Sequence, residues 1–207
     1  MQTSTTQAAP AVTEIPYEAA LARIENGDLL AWKWRAYGLW ARHVWDVWTH
    51  VGIALWVHGR LCVVEAAWPR VRIVPVDHFQ DVFWVPTYAL WGTVQSEYAM
   101  LQLGDNYSIW DCVIGYGGMP VDDYREQCAE LAIRIANHST VDLGDRATPG
   151  ACVRAALSVP GADLHHAYIP RTYHRTHAYE PYHRPSDHPP MHHHERPSLC
   201  EKTSPPP

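Results

Sequence analysis

Three residue types that can share one chemistry stand out along the chain: a histidine at position 50, a carboxylate at 65 and a cysteine at 128. A thiolate is a nucleophile, an imidazole can take and return its proton, and a carboxylate can orient the imidazole and stabilise its charged form. His50 lies in Thr49-His50-Val51-Gly52-Ile53-Ala54-Leu55, and Glu65 lies in Leu61-Cys62-Val63-Val64-Glu65-Ala66. These apolar, partly β-branched runs flank Val57-His58-Gly59-Arg60, a hairpin signal with glycine in the turn. With a two-residue loop of His58 and Gly59, paired positions add to 117. His50 then falls opposite Ala67, with Glu65 on the same face two residues along. Such diagonal neighbours lie roughly 7–8 Å apart, within reach of long side chains. A change of one residue in the loop would shift this register.

The nucleophile of the set is Cys128, at or near the onset of the helical stretch Arg125–Asn137. The positive end of a helix dipole stabilises a thiolate, and a nearby imidazole does so by pairing with it. A start at Pro120-Val121-Asp122-Asp123 would instead put Cys128 in mid-helix. Cys62 inside a strand, Cys112 among Trp110, Val113 and Ile114, and Cys152 in the last helix read as packing residues. His43, His58, His78 and His138 compete with His50, and His58 reads as a turn residue. Glu130, two residues past Cys128, points away from the thiol on a helix and is assigned a structural role, such as contact with a basic residue of the core.

Gly27-Asp28-Leu29-Leu30, Thr49-His50-Val51-Gly52-Ile53, Val64-Glu65-Ala66 and Cys128-Ala129-Glu130-Leu131 follow one another in that order. Over roughly residues 16 to 160 this resembles the circularly permuted NlpC-like cysteine hydrolases, the YiiX-like branch of the papain-like superfamily, with lecithin:retinol acyltransferase as a more distant relative. The Thr-His-Val-Gly-Ile piece is the most specific of the four. The resemblance implies an α+β, papain-like fold, a small antiparallel sheet or half-barrel packed against helices. It also implies a Cys128–His50–Glu65 triad, with the histidine ahead of the cysteine in the chain. The substrate classes it suggests are cell-wall peptides and lipid-linked acyl groups, cleaved or transferred at an amide, ester or thioester. No cofactor is expected.

The elements that must position these residues are read as follows. Residues 1 to 15 form a flexible lead of Thr, Gln, Ala and Pro, and residues 16–162 form the catalytic domain. A short helix runs from Tyr17 to Ile24, and Leu29–Trp32 is a strand. The segment Lys33–Trp48 carries Trp34, Tyr37, Trp40, Trp45 and Trp48 with interleaved basic residues. It reads either as an aromatic lid or acyl-binding wall, a variant being peripheral contact with a membrane surface, or as a packing element that lays its indoles on the sheet. Trp45, Trp48, Trp68 and Tyr107 are the candidate substrate-binding residues. Val71–Val76 and Phe83–Pro86 add strands to a meander of four to six. Helices are expected at Ser96–Leu101, Tyr107–Ile114, the Cys128 stretch and from Thr148 through Leu157, the last with proline in its first turn. Residues 163–207, rich in His, Pro, Tyr and Arg, read as a disordered tail. His165-His166 and Met191-His192-His193-His194-Glu195 suggest adventitious metal binding there, with no dedicated metal site assigned.

Composition narrows the rest. A formal net charge of −6 argues against a nucleic-acid binder. Five cysteines with no CxxC pair fit free thiols in a reducing compartment. Met1–Gln7 has neither a basic start nor an apolar core, so a signal peptide is not expected, and no apolar run reaches membrane-spanning length. The location expected from these features is the cytoplasm, with phage origin or export by another route as alternatives. A non-catalytic binding or structural protein that keeps the fold and uses an aromatic cleft is the competing function.

Overall fold

Two positive backbone angles set the frame of the central hairpin. His58 and Gly59 have φ of +49° and +78°, the two-residue turn whose twist matches that of its strands. Val57 pairs with Arg60 and Ile53 with Val64, the register expected from the sequence. The computed structural model describes residues 11–33, 48–107, 127–144 and 148–173. Within them, β1 (Val12–Glu14), β2 (Leu29–Lys33), β3 (Trp48–Val57), β4 (Arg60–Ala67), β5 (Arg70–Pro75), β6 (Asp81–Val85) and β7 (Leu164–Tyr168) form a seven-stranded sheet. Its order is β1-β7-β6-β2-β3-β4-β5. The helices are α1 (Tyr17–Leu21), α2 (Thr93–Leu101), α3 (Cys128–Ala136) and α4 (Pro149–Leu157). The fold is α+β.

Alternation along the strands builds two cores. Leu29 and Ala31 of β2, Val51, Ile53 and Leu55 of β3, and Val64 and Ala66 of β4 pack with Leu131 and Ile135 of α3 and with Cys152 and Val153 of α4. Leu30, Trp32, Ala54, Val63 and Trp84 pack instead with Tyr17 and Ala20 of α1. Period-two alternation thus lets one sheet bury both faces. The turn into β2 is closed by Asp28, whose carboxylate accepts the Glu25 and Thr87 N–H groups, each at 3.0 Å. Burial pushes this carboxyl up to about 6, against the pull of those two hydrogen bonds. At α4, the Thr148 side chain accepts the Ala151 N–H, and Pro149 occupies the first turn, as expected.

Four expectations need correction. The lead is ordered from Val12 to Glu14, where β1 pairs parallel with β7. Its side chains are exposed, so no apolar pattern marked it. The sheet is therefore mixed rather than wholly antiparallel, and β2 sits between β3 and β6, which a simple meander does not allow. The tail does not begin at 163, because Leu164–Tyr168 is a strand flanked on both sides. Its histidines are core plates: His165 stacks on Trp84 with centroids 4.4 Å apart, and His166 stacks on Phe83 at 4.1 Å. An imidazole stacks as a flat ring, and composition alone reads it as polar. Finally, Tyr107 does not start a helix. The chain is extended there, Asn106 bridges Arg70, and the Tyr107 N–H donates to the Pro69 carbonyl at 3.0 Å. The rest of that expected helix, the Trp-rich segment 34–47 and residues 174–207 lie outside the described residues.

Gly52 has a specific reason to be glycine. A β-carbon there would collide with Val63 Cγ2 and lie 2.8 Å from the Val64 carbonyl oxygen. A backbone oxygen cannot step aside as a flexible side chain can. Gly52→Ala is expected to cost about 1–3 kcal/mol, read as a lower urea midpoint with an unchanged slope. A midpoint matching the parent would mean that β3 and β4 approach less closely than this.

Candidate active site

His50 and Glu65 meet across the central hairpin. His50 Nε2 and Glu65 Oε2 are 2.6 Å apart. The diagonal placement read from the register is the reason, since both side chains leave the same face of β3 and β4. The β2–β3 pairing slips just before this point. Trp32 faces His50 but Lys33 faces Trp48, leaving Thr49 as the extra residue. Thr49 Oγ1 donates to the Trp32 carbonyl at 3.3 Å. A bulge of this kind re-aims the side chains beside it. The Trp32 indole lies 5.7 Å from the His50 ring, centroid to centroid.

Cys128 is the first residue of α3. Gln127 precedes it in an extended conformation, and the Glu130 carboxylate accepts the Gln127 N–H at 3.2 Å. That is the structural role of Glu130: it closes the helix start in a capping box and so fixes where Cys128 begins the first turn. The mid-helix alternative does not hold. The Cys128 sulfur faces the His50 ring closely enough to act on its charge.

The charges at this site support one another. Burial opposes a charged His50 ring, but the Cys128 sulfur facing it, the hydrogen bond with that sulfur and the Glu65 carboxylate outweigh burial and raise His50 to about 10. Glu65 is 1% exposed. Burial pushes its carboxyl up, yet His50 and Arg72 hold it below its ordinary value. Arg72, on β5 directly opposite Glu65, donates from Nε to Oε1 at 2.8 Å, and its Nη2 lies 2.7 Å from the same oxygen in an ion pair. Sequence reading missed Arg72. The signal was present: a two-residue turn at Trp68-Pro69 makes β4–β5 partners add to 137, which puts Arg72 opposite Glu65.

The aromatic candidates divide. Trp48 is buried, edge-on to Phe83 with centroids 5.2 Å apart, and Lys33 Nζ lies over its ring at 4.5 Å. Trp68 is 67% exposed in the turn between β4 and β5, and Tyr107 is half-buried beside that turn. This turn lies at the His50 end of the hairpin. Trp45 falls outside the described residues. Cys62 and Cys152 are buried free thiols, and burial pushes them up to about 11 and about 12. Cys112 falls outside the described residues.

His165 and His166 do not share a ligand position, since successive strand residues face opposite ways and each ring stacks on a different partner. Among the described residues, no group of three or more His, Cys, Asp or Glu is arranged to hold a metal ion. Among them too, no helix is long and apolar enough to cross a membrane.

No known family profile matches the chain. A search of curated proteins by sequence returned no match. Among solved structures the chain is similar to YiiX from Escherichia coli O157:H7, described as a metalloprotein. The two share 15% identity over 73% of this chain and 92% of that one, with a TM-score of 0.45.

Proposed function

We propose that this chain is a cysteine hydrolase or acyltransferase of the permuted NlpC-like, papain-like type, working through Cys128, His50 and Glu65. The observation that carries the reading is the 2.6 Å contact of His50 with Glu65, made by a ring that the thiol at the first turn of α3 also faces. A nucleophile, a base and an orienting carboxylate then stand in one line.

In this reading His50 holds the Cys128 proton as an imidazolium, paired with a thiolate. The sulfur attacks an acyl carbon, and a new S–C bond forms as the carbonyl electrons move to oxygen. Backbone N–H groups of the first turn of α3, which have no partner within the helix, face the developing oxyanion. The tetrahedral intermediate collapses, the bond to the leaving amine, alcohol or thiol breaks, and His50 protonates that group. Water or a second acceptor then attacks the acyl-enzyme. His50 takes its proton, and the thiolate is regenerated. Glu65 stays ionised throughout and stabilises the charged ring. The bond broken is an amide, ester or thioester, in a peptidoglycan peptide or a lipid-linked acyl group. The exposed indole of Trp68 beside Tyr107 favours a substrate with an apolar portion.

One observation favours the competing reading, a binding protein on the same fold: Cys128 is only 4% exposed. Incubation with nitrophenyl esters of short and long acyl chains and with peptide anilides separates the two. A hydrolase releases nitrophenol or aniline, shows an acyl mass on Cys128, and loses both in Cys128→Ala. His50→Ala should lower turnover by about a hundredfold or more. Turnover that survives Cys128→Ala would sink the hydrolase reading, and no turnover with any acyl donor would favour the binding protein.

A further inference from the structure

We infer that Arg72 is a positioning residue of this site, holding the Glu65 carboxylate ionised and aimed so that His50 can keep the Cys128 proton. The inference rests on the cysteine-hydrolase reading and extends it to a residue outside the triad.

The geometry is specific. Both Arg72 donors converge on Oε1 of Glu65, which leaves Oε2 for His50. The two oxygens of one buried carboxylate thus serve two partners on opposite sides, one from β3 and one from β5. Two guanidinium nitrogens against one oxygen hold the charge at that oxygen in a fixed direction, which a single flexible lysine ammonium does not. Among the described residues, the charged groups facing Glu65 are His50 from β3 and Arg72 from β5, and Cys128 from α3 faces His50.

The consequence follows from burial. A carboxylate that is 1% exposed takes up a proton readily once a counter-charge is removed. A neutral Glu65 no longer favours the imidazolium, and the proton-holding state of His50 weakens with it. Arg72 itself is 48% exposed, so replacing it empties no core and strands no cation. Its loss should therefore act on the acid side of the site's pH response, with a stability cost from the buried Glu65 anion left with one partner fewer.

The experiment is the rate of iodoacetamide alkylation at Cys128 between pH 4.5 and 9, read by peptide mass spectrometry in the intact chain. Parent, His50→Ala, Arg72→Gln and Arg72→Lys are compared, and thermal melts check that each is folded. In Arg72→Gln the acid limb should move up by about one pH unit or more, with the rate above pH 8 within about threefold of the parent. At a fixed pH on that limb, such a move lowers the rate about tenfold. Arg72→Lys keeps the charge and loses the paired nitrogens on Oε1, so its limb should lie between the two. If Arg72→Gln does not fold, the Lys variant alone carries the test through the same direction of movement. An acid limb superimposing on the parent's, or a uniform loss at all pH values, overturns the role of Arg72 while leaving a His50-dependent Cys128 intact. A parent Cys128 whose rate is indifferent to His50→Ala overturns the hydrolase reading, and the inference with it.

Discussion

At pH 8, iodoacetamide is expected to alkylate Cys128 at least about a hundredfold faster than Cys62 or Cys152, and His50→Ala should slow Cys128 alone by about tenfold or more. The controls follow from burial. With their thiols pushed up to about 11 and about 12, roughly one in a thousand or fewer is ionised at that pH. Cys152 is held further by packing in α4, where its sulfur lies 3.9 Å from the Ala129 carbonyl oxygen. Cys128 differs in facing the His50 ring from the first turn of α3. Peptide-resolved mass spectrometry after short labelling times measures all three in one sample. Equal rates at Cys128 and Cys152 would leave the sulfur of Cys128 as core packing.

The second large effect is on stability. Glu65→Gln should destabilise the fold by about 3 kcal/mol near pH 6, because it removes the buried anion between His50 and Arg72. The cost should change with pH in a defined direction. His50 is raised, so its contribution is complete below its unfolded value of 6.5 and is lost as pH rises through about 10. Glu65 is lowered, so its contribution is present above 4.5 and is lost as pH falls through its folded value. The pair therefore stabilises most between about pH 4.5 and 6.5. Urea unfolding of parent and variant at pH 6 and pH 10 should show the difference shrinking at the higher pH. A difference below about 1 kcal/mol at pH 6, or one that does not move with pH, would contradict the ion pair.

Local chemistry made part of this legible in the sequence. His58-Gly59 tolerates positive φ, so the hairpin register followed, and with it the His50–Glu65 diagonal. Pro149 behind Thr148 marked the start of α4. The Cys128 helix was recognisable, but its onset was settled only by Glu130 reaching back to the Gln127 N–H, a contact sequence spacing permits without requiring. Arg72 needed a second register, across Trp68-Pro69, to be laid on the first. Trp48 looked available for a ligand because indoles are ambiguous until their neighbours are known, and here Phe83 and Lys33 cover it. β1 and β7 were invisible for opposite reasons. One is too exposed to carry an apolar pattern, and the other builds its buried faces from histidines that local composition reads as polar.

The place of β7 bears on the order in which the chain can acquire its structure. Residues 164–168 supply the strand between β1 and β6, although some 150 residues separate β1 from β7 in the chain. During synthesis β1 emerges early with nothing to pair to, and β6 stands as a raw edge after the Cys128 helix has formed. Both wait for one short histidine-bearing segment to leave the ribosome. A late strand that seals two edges at once makes the sheet's completion a long-range event. A chain cut between Leu157 and Leu164 would keep His50, Glu65 and Cys128 and still leave β1 without its strand partner and β6 with an open edge.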